Sequence, residues 1–135
     1  AFSNSMVGMV HALAHALGGV CHVPHGMANA ILLPWCLEYN IPKVPEYIAE
    51  LSGLLGGARA YLKPLEQAEE TISLIRNLLK KLNKISGIPE KLRDAKVLED
   101  QLPETAETAI NDGALVYNPR EVSYEDALAV YGKAF

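Results

Sequence analysis

The first 37 residues contain no Asp, Glu, Lys or Arg, although the chain carries 12 basic and 16 acidic side chains in 135 residues. All four histidines lie in this part, in the window from His11 to His25. A stretch that avoids charge but collects imidazole groups is untypical of a solvated surface. Residues 11–34, HALAHALGGVCHVPHGMANAILLP, therefore predict a buried wall with a few selected polar groups, as a ligand or metal site requires.

Composition and charge narrow the classes of function. The chain is 50% hydrophobic and 21% charged, which is ordinary for a soluble globular protein. The net charge is −4 and no basic cluster extends beyond Lys80-Lys81, so nucleic-acid binding is not expected. The two cysteines, Cys21 and Cys36, are too few for a disulfide scaffold and are interpreted as reduced thiols of a cytoplasmic protein.

The charge-free stretch is not a predicted membrane span. Gly18-Gly19, Pro24 and Pro34 interrupt it, together with the histidines, so that no clean apolar run of about 20 residues exists. No basic region typical of a signal peptide precedes it. We therefore expect no membrane partner.

Helical signals follow one another along the whole chain. Ala- and Leu-rich residues 2–17 predict a first helix that ends at Gly18-Gly19, and Pro24 predicts the first turn of a second helix, kinked at Pro34 and running to about Tyr39. Further helices are predicted at 45–55, 64–84, 90–94, 103–112 and 123–134. The prediction is one all-α domain of six or seven helices over residues 1–135, a helical bundle. Because Ala1 is not an initiator Met and helical periodicity begins almost at once, we expect this domain to be a piece of something longer.

His11 and His15 are four residues apart on the first predicted helix. They therefore project from one face, about 6 Å apart along the axis. The zinc-protease pattern requires Glu at position 12, where this chain has Ala12, so that mechanism is excluded. Taken alone, such a pair is more often two core or surface histidines than a metal site.

His25 strengthens the metal interpretation. It follows Pro24 at the start of the second predicted helix, where the helix dipole disfavours the imidazolium form. A neutral imidazole has the free lone pair that a metal needs. A tight connection between the two helices can bring His11 and His25 together, and Gly26 allows close backbone approach.

The remaining thiols and the fourth histidine have a simpler interpretation. A zinc ligand set of His11, Cys21 and His25 can be drawn, but structural zinc sites usually contain closely spaced cysteine pairs, which this chain lacks. Cys21, His22 and Cys36 are therefore interpreted as loop or core residues.

Taken together, these motifs resemble the iron-containing alcohol dehydrogenases. The residues that carry the resemblance are AFSN near the start, His11-x3-His15-x-Leu17-Gly18, PHGMANAILLP at 24–34, Tyr39-Asn40, Leu102-Pro103, Ala109 through Asp112, and Asn118-Pro119-Arg120 before the last helix. The resemblance covers nearly the whole chain, and the 14-residue spacing from His11 to His25 with His15 between them is specific.

The resemblance implies a fold and a metal site. Such enzymes have an N-terminal α/β domain that holds NAD or NADP and a C-terminal helical domain, of the dehydroquinate-synthase-like type, that holds Fe²⁺ or Zn²⁺. Their metal ligands are an Asp and three His, of which His11 and His25 match two by motif. His15 matches the histidine that is not a ligand and lies near the nicotinamide and the substrate, which implies a catalytic and cofactor-contacting role. The other two ligands belong to an earlier Asp-x3-His helix that this chain does not contain.

The sequence thus predicts the C-terminal part of a metal-dependent, NAD(P)-linked dehydrogenase that interconverts an alcohol and an aldehyde or ketone. We expect the isolated piece to lack activity, to bind metal weakly, to need the missing N-terminal domain, and to self-associate into a homo-oligomer through uncovered apolar faces. The alternative is a free-standing helical interaction or metal-binding module in which the histidines are structural.

Overall fold

Helices are the regular elements of the described structure, a computed structural model that covers residues 7–57 and 62–135 and contains no β-strand in those two segments. Its α-helices are α1 (Met9–Cys21), α2 (His25–Asn40), α3 (Pro45–Glu50), α4 (Pro64–Ser86), α5 (Leu102–Ala109) and α6 (Tyr124–Ala134). Single 3₁₀ turns lie at Ser52–Leu55, Arg93–Ala95, Glu99–Gln101 and Gly113–Tyr117. The prediction of an all-α fold is confirmed.

The end of α1 differs from the prediction. Gly18 and Gly19 remain helical, and the helix continues to Cys21. His22 takes the left-handed conformation instead, with φ 57°, and its backbone N–H donates to the carbonyl of Leu17. Glycine inside a helix costs only about 1 kcal/mol relative to Ala, so the glycine pair weakens the helix without ending it. The sequence predicts that this helix begins at residue 2. Residues 2–6 lie outside the described structure, and the observed helix begins at Met9.

One core holds the α1–α2 hairpin against α5 and α6. Leu13, Leu17, Ile31 and Leu32 are fully buried in it, together with Tyr131 of α6. The Tyr131 hydroxyl donates to the carbonyl of Leu13 over 2.8 Å, and burial raises the pKa of this phenol. Both arms of the hairpin are therefore fixed by the packing of their apolar faces.

A second, smaller core joins α3 and α4 to the end of α2. It contains Ile41, Ile48, Ala49, Ala68 and Ile72. The long helix α4 is amphipathic as predicted, because most of its charged side chains are exposed, whereas Ala68, Ile72 and Leu79 are buried. None of the helices in the described residues is long and apolar enough to cross a membrane.

The capping motif predicted for the last helix is present. Ser123 Oγ accepts from the backbone N–H of Asp126 over 3.1 Å, and Asp126 Oδ2 accepts from the backbone N–H of Ser123 over 3.1 Å. The reciprocal bonds satisfy two N–H groups that the helix cannot satisfy itself.

Candidate metal and substrate site

Three imidazole rings meet where the α1–α2 hairpin opens. His11 and His15 lie on α1, and His25 is the first residue of α2. The ring centroids of His11 and His25 are 5.4 Å apart, those of His15 and His25 are 5.1 Å apart, and those of His11 and His15 are 6.1 Å apart. The expected convergence of His11 and His25 from the two arms is therefore observed.

The orientations of the ring planes distinguish the His11–His25 pair from the His15–His25 pair. An ion held by an imidazole lone pair lies in the plane of that ring. The planes of His11 and His25 are inclined by 52°, and their centroids are 5.4 Å apart. This separation is close to the value of about 5 Å expected for two imidazoles that share an ion at roughly 2.0–2.1 Å from each nitrogen. His15 stacks on His25 with an interplanar angle of only 20°, so no nearby point lies in both planes.

Electrostatics keeps the first of these rings neutral. Burial lowers the pKa of His11, and the neighbouring His25 and His15 lower it further, while Asp112 opposes them. A neutral imidazole at physiological pH retains the lone pair that a metal ligand requires. His11 thus meets the electronic requirement as well as the geometric one.

The side chain of Asn29 occupies one nitrogen of His25. Asn29 Nδ2 lies 2.9 Å from His25 Nε2 and donates to the His25 backbone carbonyl over 2.9 Å. Because the amide nitrogen only donates, Nε2 of His25 accepts here and carries the lone pair of the ring, so an ion held by His25 would displace the Asn29 amide from this nitrogen. Asn29 Oδ1 is buried and has no hydrogen-bond partner in the described parts of the chain. No signal in the sequence marks Asn29 for this contact.

His15 is paired with an acid from the other end of the chain. Its Nδ1 lies 2.7 Å from Oδ2 of Asp112. Burial would raise the pKa of Asp112, but hydrogen bonds from the Ala114 backbone and from His15 outweigh it, so that the pKa lies below its ordinary value. Sequence reasoning missed this contact, because 97 positions separate the two residues and nothing local marks their proximity.

The donors present fit half of a metal site. Two convergent imidazoles suit Fe²⁺ or Zn²⁺, but no group of three or more His, Cys, Asp or Glu side chains in residues 7–57 and 62–135 is arranged to hold a metal ion. Such ions usually take four or more ligands. A tight site therefore requires donors from outside this chain's described residues.

A groove of about 770 Å³ opens beside the rings of His11 and His25. Apolar side chains and three amides line it: Val7, Met9, Val10, Ala30, Leu33, Asn29, Asn40 and Asn118. The expected buried wall is observed only in part. Leu13 and Leu17 are buried, but the side chain of His15 is 48% exposed and His25 is also exposed, because the opposite face of α1 enters the core.

The thiols and the fourth histidine lie apart from the three rings. Cys36 is buried in the main core, and burial raises the pKa of its thiol. Cys21 Sγ contacts Thr105 Oγ1 at 3.5 Å, and His22 is an exposed helix cap. These positions fit the interpretation of all three as core or loop residues.

Comparison with known proteins identifies the family of the chain. A model of the Fe-containing alcohol dehydrogenase family, C-terminal part, matches residues 1–135. The 1,3-propanediol dehydrogenase of Klebsiella pneumoniae is 41% identical over 100% of this chain and 34% of its own length. The lactaldehyde reductase of Escherichia coli K12 is 36% identical over 99% of this chain and 34% of its own length.

Solved structures show the same fold. The crystal structure of a 1,3-propanediol oxidoreductase superposes with a TM-score of 0.89 at 40% identity, over 99% of this chain and 34% of that one. The alcohol dehydrogenase from Oenococcus oeni superposes with a TM-score of 0.91 at 35% identity, over the same shares. The chain belongs to the Fe-containing alcohol dehydrogenase family and matches its C-terminal part. It spans about a third of the length of the curated relatives it matches.

Proposed function

We propose that this chain is the metal-binding C-terminal part of an NAD(P)-linked alcohol dehydrogenase that interconverts a small alcohol and the corresponding aldehyde or ketone. The observation that carries the proposal is the convergence of His11 and His25, one from each arm of the hairpin, with centroids 5.4 Å apart at the rim of a groove. Family membership over the whole chain supports it.

In the proposed enzyme His11 and His25 hold the metal, Fe²⁺ or Zn²⁺, through their neutral nitrogens. When bound, the ion supplies Lewis-acid polarisation of the substrate oxygen, and the nicotinamide supplies the hydride exchange. His15 exchanges the hydroxyl proton of the substrate at a ring nitrogen. The nucleotide-binding domain and the remaining metal ligands come from an N-terminal part that the chain does not include.

The groove beside the rings has room for a small substrate. Its wall is mostly apolar, and the three amides in it, Asn29, Asn40 and Asn118, form hydrogen bonds with other groups of the chain. An apolar cleft with a few polar groups is the usual form of a small-molecule site. Because the names of two relatives refer to 1,3-propanediol and lactaldehyde, short hydroxylated substrates are the first class to assay.

The isolated chain is proposed to be inactive and to bind metal weakly. Two neutral imidazoles leave a divalent ion mostly to water and offer it no carboxylate charge. Anaerobic calorimetry with Fe²⁺, and aerobic calorimetry with Zn²⁺, should give dissociation constants well above micromolar, weakened further by His11→Ala or His25→Ala. The exposed histidine His22 provides the matched control His22→Ala, which should leave the metal dissociation constants unchanged.

The corresponding experiment on a complete enzyme decides the function. The chain joined to the N-terminal part of its own reading frame is assayed with NAD and NADP on a panel of short alcohols and aldehydes, with and without added Fe²⁺ or Zn²⁺. Metal-dependent turnover that His11→Ala and His25→Ala abolish is expected. A stoichiometric submicromolar metal site in the isolated chain would contradict the proposal that it supplies only part of the ligand set. Absence of turnover on every substrate, with either metal added, would contradict the proposed dehydrogenase activity.

Self-association is part of the proposal. Leu54 at 81% exposure, Leu78 at 47% and Leu55 at 38% line one surface groove. Exposed apolar patches tend to become covered by another surface. Sedimentation of the isolated chain over a range of concentrations should show species larger than 14.7 kDa, and Leu54→Ser with Leu78→Ser should reduce them.

A further inference from the structure

The His15–Asp112 contact joins two distant parts of the chain at the edge of the three-ring cluster. His15 lies on α1, and Asp112 immediately precedes the 3₁₀ turn Gly113–Tyr117. One carboxylate oxygen, Oδ2, lies 2.7 Å from His15 Nδ1. The other oxygen, Oδ1, accepts from the backbone N–H of Ala114 over 2.8 Å.

The two hydrogen bonds fix the orientation of the Asp112 carboxylate. Oδ1 caps the turn, which settles the side-chain torsions of Asp112 and aims Oδ2 at the ring. The side chain of Asp112 is only 24% exposed, so water competes poorly for the contact. An ionised carboxylate only accepts hydrogen bonds, and therefore the proton of a neutral His15 lies on Nδ1.

The other ring nitrogen is left available. In the described residues no hydrogen bond is formed by Nε2 of His15, and the ring stacks on His25 at 5.1 Å, which orients it beside the candidate metal ligands. With Nδ1 protonated, Nε2 carries the lone pair and accepts a proton, and the positive charge formed on the ring is next to Asp112.

We propose that Asp112 is a positioning residue that holds the His15 imidazole in the Nδ1–H tautomer and presents Nε2 as the proton-exchanging atom. The proposal rests on the proposed function for its catalytic consequence, but its structural half concerns this chain alone. In the oxidation direction the substrate O–H bond breaks and its proton moves to Nε2. The hydride of the substrate C–H bond would pass to the nicotinamide, and in the reduction direction the proton returns from Nε2–H to the substrate oxygen.

The structural half is tested by long-range ¹H–¹⁵N correlation spectra of the 135-residue chain, recorded well above the ordinary imidazole pKa of about 6.5. In a neutral ring the protonated nitrogen resonates far upfield of the unprotonated one, so the spectrum identifies the tautomer directly. We expect His15 to carry its proton on Nδ1. A wild-type spectrum with the proton on Nε2 overturns the proposal without any variant.

Two variants separate positioning from folding. In Asp112→Asn the amide oxygen still caps Ala114, but the amide nitrogen faces His15 and donates, so the ring should switch to the Nε2–H tautomer. In Asp112→Ser the hydroxyl retains the cap and no longer reaches His15, so the spectrum should show a mixture of tautomers. Asp100→Asn, an exposed acid of the same chain, is the matched control and should leave His15 unchanged. An unchanged Nδ1–H tautomer in folded Asp112→Asn overturns the proposal.

The catalytic half is read in the complete enzyme. Asp112→Asn should lower kcat by about 10–100-fold, the range typical of residues that orient a functional group, with little change in the KM of the substrate. An Asp112→Asn enzyme with unchanged kcat overturns this half. If the tautomer result is positive but the wild-type enzyme has no dehydrogenase activity, the proposed function fails while the positioning of His15 stands.

Discussion

Asn40 and Asn118 exchange two side-chain hydrogen bonds across 78 positions of sequence, with Nδ2 to Oδ1 distances of 3.1 Å and 2.9 Å. Asn118 Oδ1 also accepts from the backbone N–H of Met9 over 3.2 Å, and its Nδ2 donates to the carbonyl of Arg120 over 2.7 Å. One amide therefore joins the first residue of α1, the last residue of α2 and the segment before α6. Met9, Asn40 and Asn118 all line the groove beside the histidine rings.

Replacement of Asn118 by Ala should destabilise the chain by about 2 kcal/mol, because the buried groups of Asn40 and Met9 lose their partners. Urea denaturation measures the change. The control is Asn111→Ala, since Asn111 is exposed and its amide donates only to the carbonyl of Glu107 in its own turn. Equal losses for the two variants would show that the amide pair contributes no more than a surface bond.

Tyr131→Phe should cost about 0.5–1.5 kcal/mol of unfolding free energy. The ring stays in place, but the bond from its hydroxyl to the Leu13 carbonyl, buried and 2.8 Å long, is lost. Tyr47, which is 72% exposed, gives the control Tyr47→Phe, expected to remain within about 0.5 kcal/mol of the wild type. Thermal unfolding of both variants measures the difference, and a fully stable Tyr131→Phe contradicts the assignment.

Glu38 predicts a dependence of stability on pH. Burial alone would raise its pKa, but hydrogen bonds from Arg76 Nη2 at 2.5 Å and Lys133 Nζ at 3.0 Å outweigh it and hold the pKa below 4.5. A carboxyl group with a lowered folded pKa stabilises the fold above its unfolded pKa and loses that effect as the pH falls through the folded pKa. The pair is partly exposed, so about 0.2–1 kcal/mol is expected.

The measurement compares wild type with Glu38→Gln by urea denaturation between neutral and strongly acid pH. The wild type should be more stable at pH 7, and the difference should shrink as the pH falls below 4.5 and then vanish. Glu46→Gln, at an exposed acid of α3, serves as control. A difference that persists unchanged in acid would indicate packing rather than charge.

His22→Gly should stabilise the chain by up to about 1 kcal/mol. His22 ends α1 with φ 57°, a conformation that glycine adopts without the steric cost of a Cβ atom. His22→Ala, which retains a Cβ atom at the same φ, is the matched comparison and should be less stable than the glycine variant. Both melting temperatures are measured in the same buffer. A lower melting temperature for the glycine variant than for the alanine variant would show that the Cβ atom at this φ angle does not destabilise the chain.

Local patterns were enough to predict the helices and the convergence of two rings. Helix-initiating prolines at 45 and 64, and the Ser123 cap, mark their elements directly. The spacing of His11 and His15, with His25 after a short connector, restricts where the rings can lie. The end of α1 was predicted wrongly because a glycine pair favours a helix end only weakly, and the packing of α1 against α2 determines where the helix stops.

The contacts that complete the site could not be predicted in the same way. Asp112 reaches His15 over 97 positions and Asn118 reaches Met9 over 109, and both depend on where the chain after α5 crosses the start of α1. Their local signals, an acid before a glycine and an Asn-Pro turn, are typical of many turns. Only the packing of α1 against α2 and α5 makes these partners available. The ligand roles of His11 and His25, and the role of His15, stay predictions.

Each arm of the α1–α2 hairpin carries one of the two convergent imidazoles. The separation of the two rings therefore depends on how α1 packs against α2 in the core. Leu17 and Ala28, one from each arm, are both fully buried in the main core. A bulkier or smaller side chain at either position would tilt one helix against the other and change the distance between the rings of His11 and His25. In the proposed metal enzyme, substitutions in the hydrophobic interior would thus change the spacing of the two donors without altering either histidine.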